Sequence, residues 1–285
     1  MCECKEEDRI PATDMWQLYL ILQDFFAIDV HLAMAQETAR RSVSKRLAER
    51  FRRSVEQFRP YCNVDESFYP KDRHPIPAPE QLRKIESTYT LSGLLVHQQQ
   101  EVGQVINAPQ LNFRYIDREI ISARTTGGAR YTDGRSATSG KRLDWLLANA
   151  EDRRPIIAEI KVGTDKNPFY ALIQTLMYAA ELVTLNQATR LQRQYGQIHF
   201  PELDNPQEDT TPAVDIYLIL SGYDHEDKDR SELLQATERI SANLMTLPAV
   251  TSHVRRIACL EADLNTEGEL IFQSRFCLDR FNAPA

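Results

Sequence analysis

Arg142-Leu143-Asp144-Trp145-Leu146-Leu147-Ala148, followed by Pro155-Ile156-Ile157-Ala158-Glu159-Ile160-Lys161-Val162, decides how this chain is read. Each half is a short run rich in Leu, Ile and Val, with the length and composition of a β-strand. Between them, Ala150-Glu151-Asp152-Arg153-Arg154 is a short polar connection, so the two strands are expected to form a hairpin. Residues two apart in a strand share a face. Glu159 and Lys161 therefore point the same way, and Ile160 points into the opposite layer. Asp144, fifteen positions before Glu159, lies on the neighbouring strand and is expected to meet them. Two carboxylates, a backbone carbonyl and waters suit Mg2+ as an oxygen shell. An ammonium beside them can orient a water or stabilise developing negative charge. A Glu-x-Lys pair alone is common on exposed strands and says little, so its weight comes from its surroundings.

Downstream, residues 167–184 are expected to form a helix that is apolar almost all round, through Phe169, Leu172, Ile173, Leu176, Met177 and Leu182. Gln174 and Tyr178 are four apart and share one face of it. A buried amide needs partners, and such a helix could present both groups to Asp144, Glu159 and Lys161. The other reading is that Gln174 bonds a nearby loop and Tyr178 belongs to the core. A strand over 214–220, a helix over 230–247 and a hairpin of 254–263 with 269–278 follow.

Upstream, residues 111–123 read as a strand, and 126–140 as a loop rich in Gly, Ser and Thr. Residues 80–104 have a helical pattern carrying Gly93-Leu94-Leu95-Val96-His97. A lone helical histidine is usually unremarkable, but here it could add a metal ligand. Residues 14–59 lack Pro and Gly and have apolar residues at helical spacing, with Thr13 or Asp14 as the expected N-cap. Val43, Leu47, Phe51, Val55 and Phe58 form one apolar stripe on the basic second half of that region. Pro60, Pro70, Pro75, Pro77 and Pro79 then rule out a continuous helix. The expected division is an N-terminal helical region with a Pro-rich linker over 1–79 and a second unit over 80–285. From residue 80 to 220 the order helix, strand, strand, strand, helix, strand implies an α/β core with a mixed sheet.

Composition bounds the function classes. At 285 residues, 42% hydrophobic and 26% charged, the chain is of ordinary globular type. The apolar stretch from Met15 to Ala35 contains Gln17, Gln23, Asp24, Asp29 and His31, so no membrane span is expected. The acidic start, Met-Cys-Glu-Cys-Lys-Glu-Glu-Asp, lacks the pattern of a signal peptide, and the expected compartment is cytoplasmic. Five cysteines without a Cys-x-x-Cys pair argue against a disulfide framework or a Cys4 zinc site. Net charge is −7, yet residues 36–59 hold eight Lys/Arg against three Asp/Glu, and residues 111–142 hold seven against three. Such stripes can track a polyanion, although either alone is usually a solvated face.

Taken in order, Asp144, Glu159-Ile160-Lys161 and Gln174-x-x-x-Tyr178 resemble the PD-(D/E)XK nuclease superfamily. Gly93-x-x-x-His97 is similar to its RecB-like branch in particular. The likeness covers roughly residues 80–220 and implies a restriction-endonuclease-like core with an N-terminal helical region added. It further implies that Asp144, Glu159, the Ile160 carbonyl and His97 bind Mg2+ or Mn2+, that Lys161 assists the nucleophile, and that Gln174 and Tyr178 support the site. The implied function is metal-dependent hydrolysis of phosphodiester bonds in DNA, and DNA rather than RNA rests on the likeness alone. Arg114, Arg118, Arg124, Arg130, Arg135, Lys141 and Arg142 would contact the nucleic acid. Leu143 stands where the family usually has proline, a substitution the family tolerates. The C-terminal cysteine cluster of the iron–sulfur members is missing. There is no Walker A motif, so any ATPase activity would come from a partner.

The alternative keeps the fold without the catalysis, as a subunit that binds nucleic acid or a protein partner. The N-terminal helices are open to three uses: pairing with a second copy, docking onto another protein, or packing onto the core.

Overall fold

The expected hairpin is present. In the computed structural model, β3 (Leu143–Asn149) and β4 (Pro155–Val162) pair antiparallel, with Trp145 opposite Ala158 and Ala148 opposite Pro155. Asn149 shapes the connection, its side-chain oxygen accepting from the backbone N–H groups of Glu151 and Asp152. The structure describes residues 37–59, 75–78, 82–102, 105–108, 111–121, 142–163, 167–204 and 211–280.

Among these, α1 (Glu37–Phe58) and α2 (Thr88–Val102) precede β1 (Ile106–Ala108) and β2 (Leu111–Ile120). After β4 come α3 (Pro168–Leu182), α4 (Leu185–Gln194), α5 (Pro201–Asp204) and β5 (Val214–Ser221). The chain continues through α6 (Lys228–Leu244), α7 (Pro248–Thr251), β6 (Val254–Leu264) and β7 (Leu270–Asp279). The seven strands form one sheet in chain order. The β1 to β4 pairs are antiparallel, β4–β5 and β5–β6 are parallel, and β6–β7 is antiparallel. This is a mixed α/β fold, and it contains the expected helix-strand-strand-strand-helix-strand order. The parallel pairs exist because the crossovers through α3 and α6 return the chain to the same end of the sheet.

Alternation along β4 divides the interior. Ile156, Ala158 and Ile160 belong to one apolar cluster, and Ile157 belongs to another. The first cluster lies under α2, through Leu91, Leu94 and Leu95. The second holds most of α3 together with Val43, Leu47, Phe51, Val55 and Phe58 of α1. The basic helix therefore spends its apolar stripe on this core, where it packs on α3 and α6. The sheet curls enough to bring β1 near β7, and Phe113 meets Phe272 edge-on at 5.4 Å.

Several element ends differ from the sequence reading. The helix expected from residue 80 begins at Thr88, because Ser87 and Thr90 cap it reciprocally. Leu82 and Ile85, which mimic helical spacing, instead pack into the cluster under α2 from a non-helical segment. Strand β1 was not expected, and β2 ends at Ile120 rather than residue 123. Asn167 caps α3, with Pro168 in the first turn, and α4 follows as a separate helix. Asp227 caps α6, so that helix runs from 228 to 244 rather than 230 to 247. The reading of residues 14–36 as helix, with its cap at Thr13 or Asp14, lies outside the described residues, as do the loop at 126–140 and most of the Pro-rich stretch. No described helix is long and apolar enough to cross a membrane.

Candidate functional site

The strand carrying Glu159 and Lys161 sits between an antiparallel and a parallel neighbour, near the carboxyl end of the parallel part of the sheet. In open α/β sheets that end is where ligand crevices form. Glu159 and Lys161 alternate with Ala158 and Ile160, so both face α3. The paired register also fixes Asp144. One step beyond the Trp145–Ala158 pair it stands opposite Glu159.

The contacts agree with that placement. Lys161 Nζ donates to Gln174 Oε1 at 2.6 Å and to Glu159 Oε1 at 3.2 Å. It also lies 4.9 Å from the centre of the Tyr170 ring, within the range of a cation–π attraction. Glu159, Lys161 and Gln174 are 4%, 3% and 3% exposed. Burying ions costs several kcal/mol each unless they are paired and hydrogen-bonded, and here the ammonium has a carboxylate, an amide oxygen and a ring face around it. Asp144 is less buried, and its Oδ2 accepts from the backbone N–H of Ile160 at 2.9 Å. A side chain thus takes the ladder position where the main-chain pairing of β3 and β4 stops.

Asp144, Glu159, Ile160, Lys161 and Gln174 are therefore brought together. Tyr178, one turn beyond Gln174, is fully buried in the core cluster on the same side. Tyr170 was missed by the sequence reading, although the spacing 170, 174, 178 marks one helical face.

His97 is placed differently. Its Nε2 lies 3.0 Å from the carbonyl oxygen of Pro77. That oxygen can only accept, so Nε2 carries the proton. Gly93 serves the same contact, since a Cβ there would come within 2.9 Å of Pro77 Cδ and Leu82 Cδ2. Gly93-x-x-x-His97 is thus a seat for Pro77 and Leu82. Helix α2 is anchored by its other residues: Trp145 Nε1 donates to Ser92 at 2.7 Å, and Gln99 pairs with both backbone groups of Tyr115 at the bulge in β2.

Of the expected nucleic-acid contacts, Arg124, Arg130, Arg135 and Lys141 lie outside the described residues. Arg114 is exposed on β2. Arg118 departs from expectation: its side chain is 3% exposed and bound to Glu119, so it is interior rather than presented to a backbone phosphate. Arg142 is 23% exposed and donates to Glu119 Oε2 at 2.9 Å.

The donor chemistry suits a hard divalent cation. Two carboxylates and a peptide carbonyl are oxygen ligands, and Mg2+ typically keeps several waters rather than demanding an all-protein cage. Among the described residues no three of His, Cys, Asp and Glu form a metal cluster, so His97 does not join the pair as described.

Comparisons with known proteins are sparse. No protein-family model matches the chain, and no curated protein matches it. Among solved structures it is similar to Pyrococcus furiosus SfsA in complex with Ca2+, at 14% identity and a TM-score of 0.21, over 67% of this chain and 62% of that one. The chain thus spans less than two thirds of that protein's length, and a likeness so loose carries no argument.

Proposed function

We propose that this chain is a metal-dependent nuclease of the PD-(D/E)XK type, related to the RecB-like branch, that hydrolyses phosphodiester bonds of DNA. The observation that carries the reading is the contact set around Lys161: a buried ammonium held by Glu159 and Gln174, with Asp144 opposite Glu159 on the next strand. A buried ion pair is weak support for stability, so its presence here favours a chemical role.

In this reading Asp144, Glu159 and the Ile160 carbonyl hold Mg2+ or Mn2+. When bound, the ion neutralises charge on the scissile phosphate and lowers the pKa of a bound water. Lys161 stabilises negative charge developing on the phosphate or orients the attacking water. Gln174 fixes the ammonium, and the Tyr170 ring shields it from solvent. Tyr178 backs this face of α3. Arg114 and Arg142 contact the DNA backbone, with Arg124, Arg130, Arg135 and Lys141, which lie between β2 and β3 in sequence, as further contacts. Residues 80–285 carry the nuclease unit, and α1 buttresses it.

The deciding experiment is cleavage of linear and circular, single- and double-stranded DNA with Mg2+, Mn2+ or EDTA, run beside Lys161→Ala. Metal-dependent cleavage lost in the variant supports the reading. Intact DNA in every lane, with no metal binding by calorimetry, overturns it. The near-complete burial of Glu159 and Lys161 favours a second reading, a nuclease-fold subunit that binds without cutting. DNA binding without cleavage at any metal concentration would select it.

A further inference from the structure

Helix α3 is buried along its length except at one residue. Of Pro168–Leu182, Tyr170 alone is left partly exposed. Its ring centre lies 4.9 Å from the Lys161 ammonium, and Lys161 itself is 3% exposed. The one place where α3 reaches the surface is therefore also a place where it meets the buried charge. A polar, half-exposed ring on an otherwise interior helix has no packing role that a smaller apolar residue could not fill, so its contact with the ammonium is the feature to explain.

The first turn of α3 holds the ring in place. Asn167 caps the helix, and its Oδ1 accepts from the Tyr170 backbone N–H at 3.0 Å. Pro168 fixes φ in the same turn. Helix ends fray, and the cap and the proline oppose fraying at the turn that carries the ring. Gln174 follows four residues later, so ring and amide lie on one helical face. Helix α3 thus meets the ammonium twice, through Gln174 Oε1 at 2.6 Å and through the Tyr170 ring. Lysine is a compact charge on a flexible stem. One hydrogen bond fixes its distance from the helix, and a second contact one turn earlier fixes its direction.

We infer that Tyr170 is a positioning residue, whose ring face holds the Lys161 ammonium in the direction from which it acts on the scissile phosphate. This rests on the nuclease reading above and adds to it a role that shielding does not supply. Any bulky apolar side chain excludes water, whereas an aromatic ring also offers the negative face that attracts a cation. The phenol hydroxyl has no part in this role. Misplacing a catalytic group by about 1 Å can cost ~100-fold in rate. A contact that restricts the ammonium therefore acts on the chemical step rather than on substrate binding.

The test compares cleavage of a short labelled DNA by the full chain as wild type, Tyr170→Leu, Tyr170→Phe and Asn167→Ala, and measures binding with Ca2+ in place of Mg2+. Tyr170→Leu keeps apolar bulk without the ring. It should lower kcat by about tenfold, the order of a desolvated cation–π contact. KM and Ca2+-supported binding should stay near wild type, as for an interaction that matters only in the transition state. Tyr170→Phe keeps the ring and should restore kcat to within about twofold of wild type. Asn167→Ala uncaps the turn that carries the ring and should lower kcat in the same direction, which keeps the inference open to test if the leucine variant does not fold. If Tyr170→Leu or Asn167→Ala folds and keeps wild-type kcat, the ring only shields and the inference fails alone. If Tyr170→Phe loses as much as Tyr170→Leu, the hydroxyl acts and the inference fails. If the loss falls on KM and binding, Tyr170 meets the nucleic acid rather than positioning the lysine, and the inference fails again. If wild type does not cleave DNA, the nuclease reading fails and takes the inference with it.

Discussion

The Lys161 ammonium lies 2.6 Å from the amide oxygen of Gln174, thirteen residues further along the chain. Strand and helix are joined here at a buried polar contact. A hydrogen bond to a charged group contributes ~1.5–3 kcal/mol, and removing one partner leaves the other with an unmet desolvation cost. Gln174→Leu should therefore destabilise the protein by about 2 kcal/mol in urea unfolding and abolish metal-dependent cleavage. Gln174→Glu restores an acceptor and should recover most of the stability. It also adds a negative charge that draws the ammonium from its task, so cleavage should stay well below wild type.

Asp144 separates structural from chemical demands more cleanly. Its Oδ2 accepts from the Ile160 N–H at 2.9 Å, and the side-chain oxygen of an asparagine can take that bond. Asp144→Asn keeps an acceptor for that N–H and should lose less stability in urea unfolding than Asp144→Ala. Asp144→Ala leaves the N–H without its acceptor and should cost ~1–3 kcal/mol. Both should lose cleavage and weaken Mn2+ binding, measured by calorimetry. An active Asp144→Asn protein would remove Asp144 from the metal site.

What was legible in the sequence follows from which interactions are local. Strands β3 and β4 were readable because each is a continuous apolar run with turn residues between. The Glu159–Lys161 face was readable because strand alternation is a property of the backbone. Tyr170 could have been read, since it lies one turn before Gln174 on the same face, but an aromatic residue in an apolar helix looks like core. Strand β1 is three residues long and has too few positions to show a period. The Glu119 bridge between Arg118 and Arg142 was beyond reach, because it joins arginines 24 positions apart in sequence through a strand residue with a positive φ. His97 shows the converse failure: the spacing from Gly93 was legible, but its local partner, the Pro77 carbonyl, came from a segment with no periodic signal.

The Gly93 contact gives a prediction free of the nuclease reading. Alanine favours an exposed helix interior by ~1 kcal/mol over glycine, so Gly93→Ala would normally stabilise α2. Here its methyl would meet Pro77 Cδ and Leu82 Cδ2 at 2.9 Å. The leucine can rotate away, but the proline ring cannot. Overpacking costs ~1–3 kcal/mol, so the net effect should be a loss of about 1 kcal/mol in thermal or urea unfolding. Hydrogen exchange should rise over residues 82–87, where the displaced segment joins α2. A stabilised variant would mean that the Pro77 segment is not seated there.

His253 sets the pH response of the core around α1. Its ring meets Phe51 edge-on at 6.1 Å. Burial pushes its pKa below the ordinary histidine value, outweighing the Pro212 carbonyl that favours the protonated ring, and the charge of Arg59 acts in the same direction as burial. The unfolded chain therefore binds a proton at a pH where the folded chain does not, and stability rises with pH across that window. His253 contributes fully above about pH 6.5, and its contribution is lost as pH falls from there through the lowered folded value. Glu261 acts at lower pH. Burial raises its carboxyl, but His225 and Arg275 more than offset this and hold it below its usual range. Its contribution is therefore lost only as pH falls below about 4.5. His253→Phe keeps an aromatic ring against Phe51 and removes the titration. Urea unfolding at a series of pH values should show wild type losing stability just below pH 6.5 and His253→Phe losing much less over that interval, with both falling together once the carboxylates protonate. Parallel curves through the upper window would assign the drop to another group.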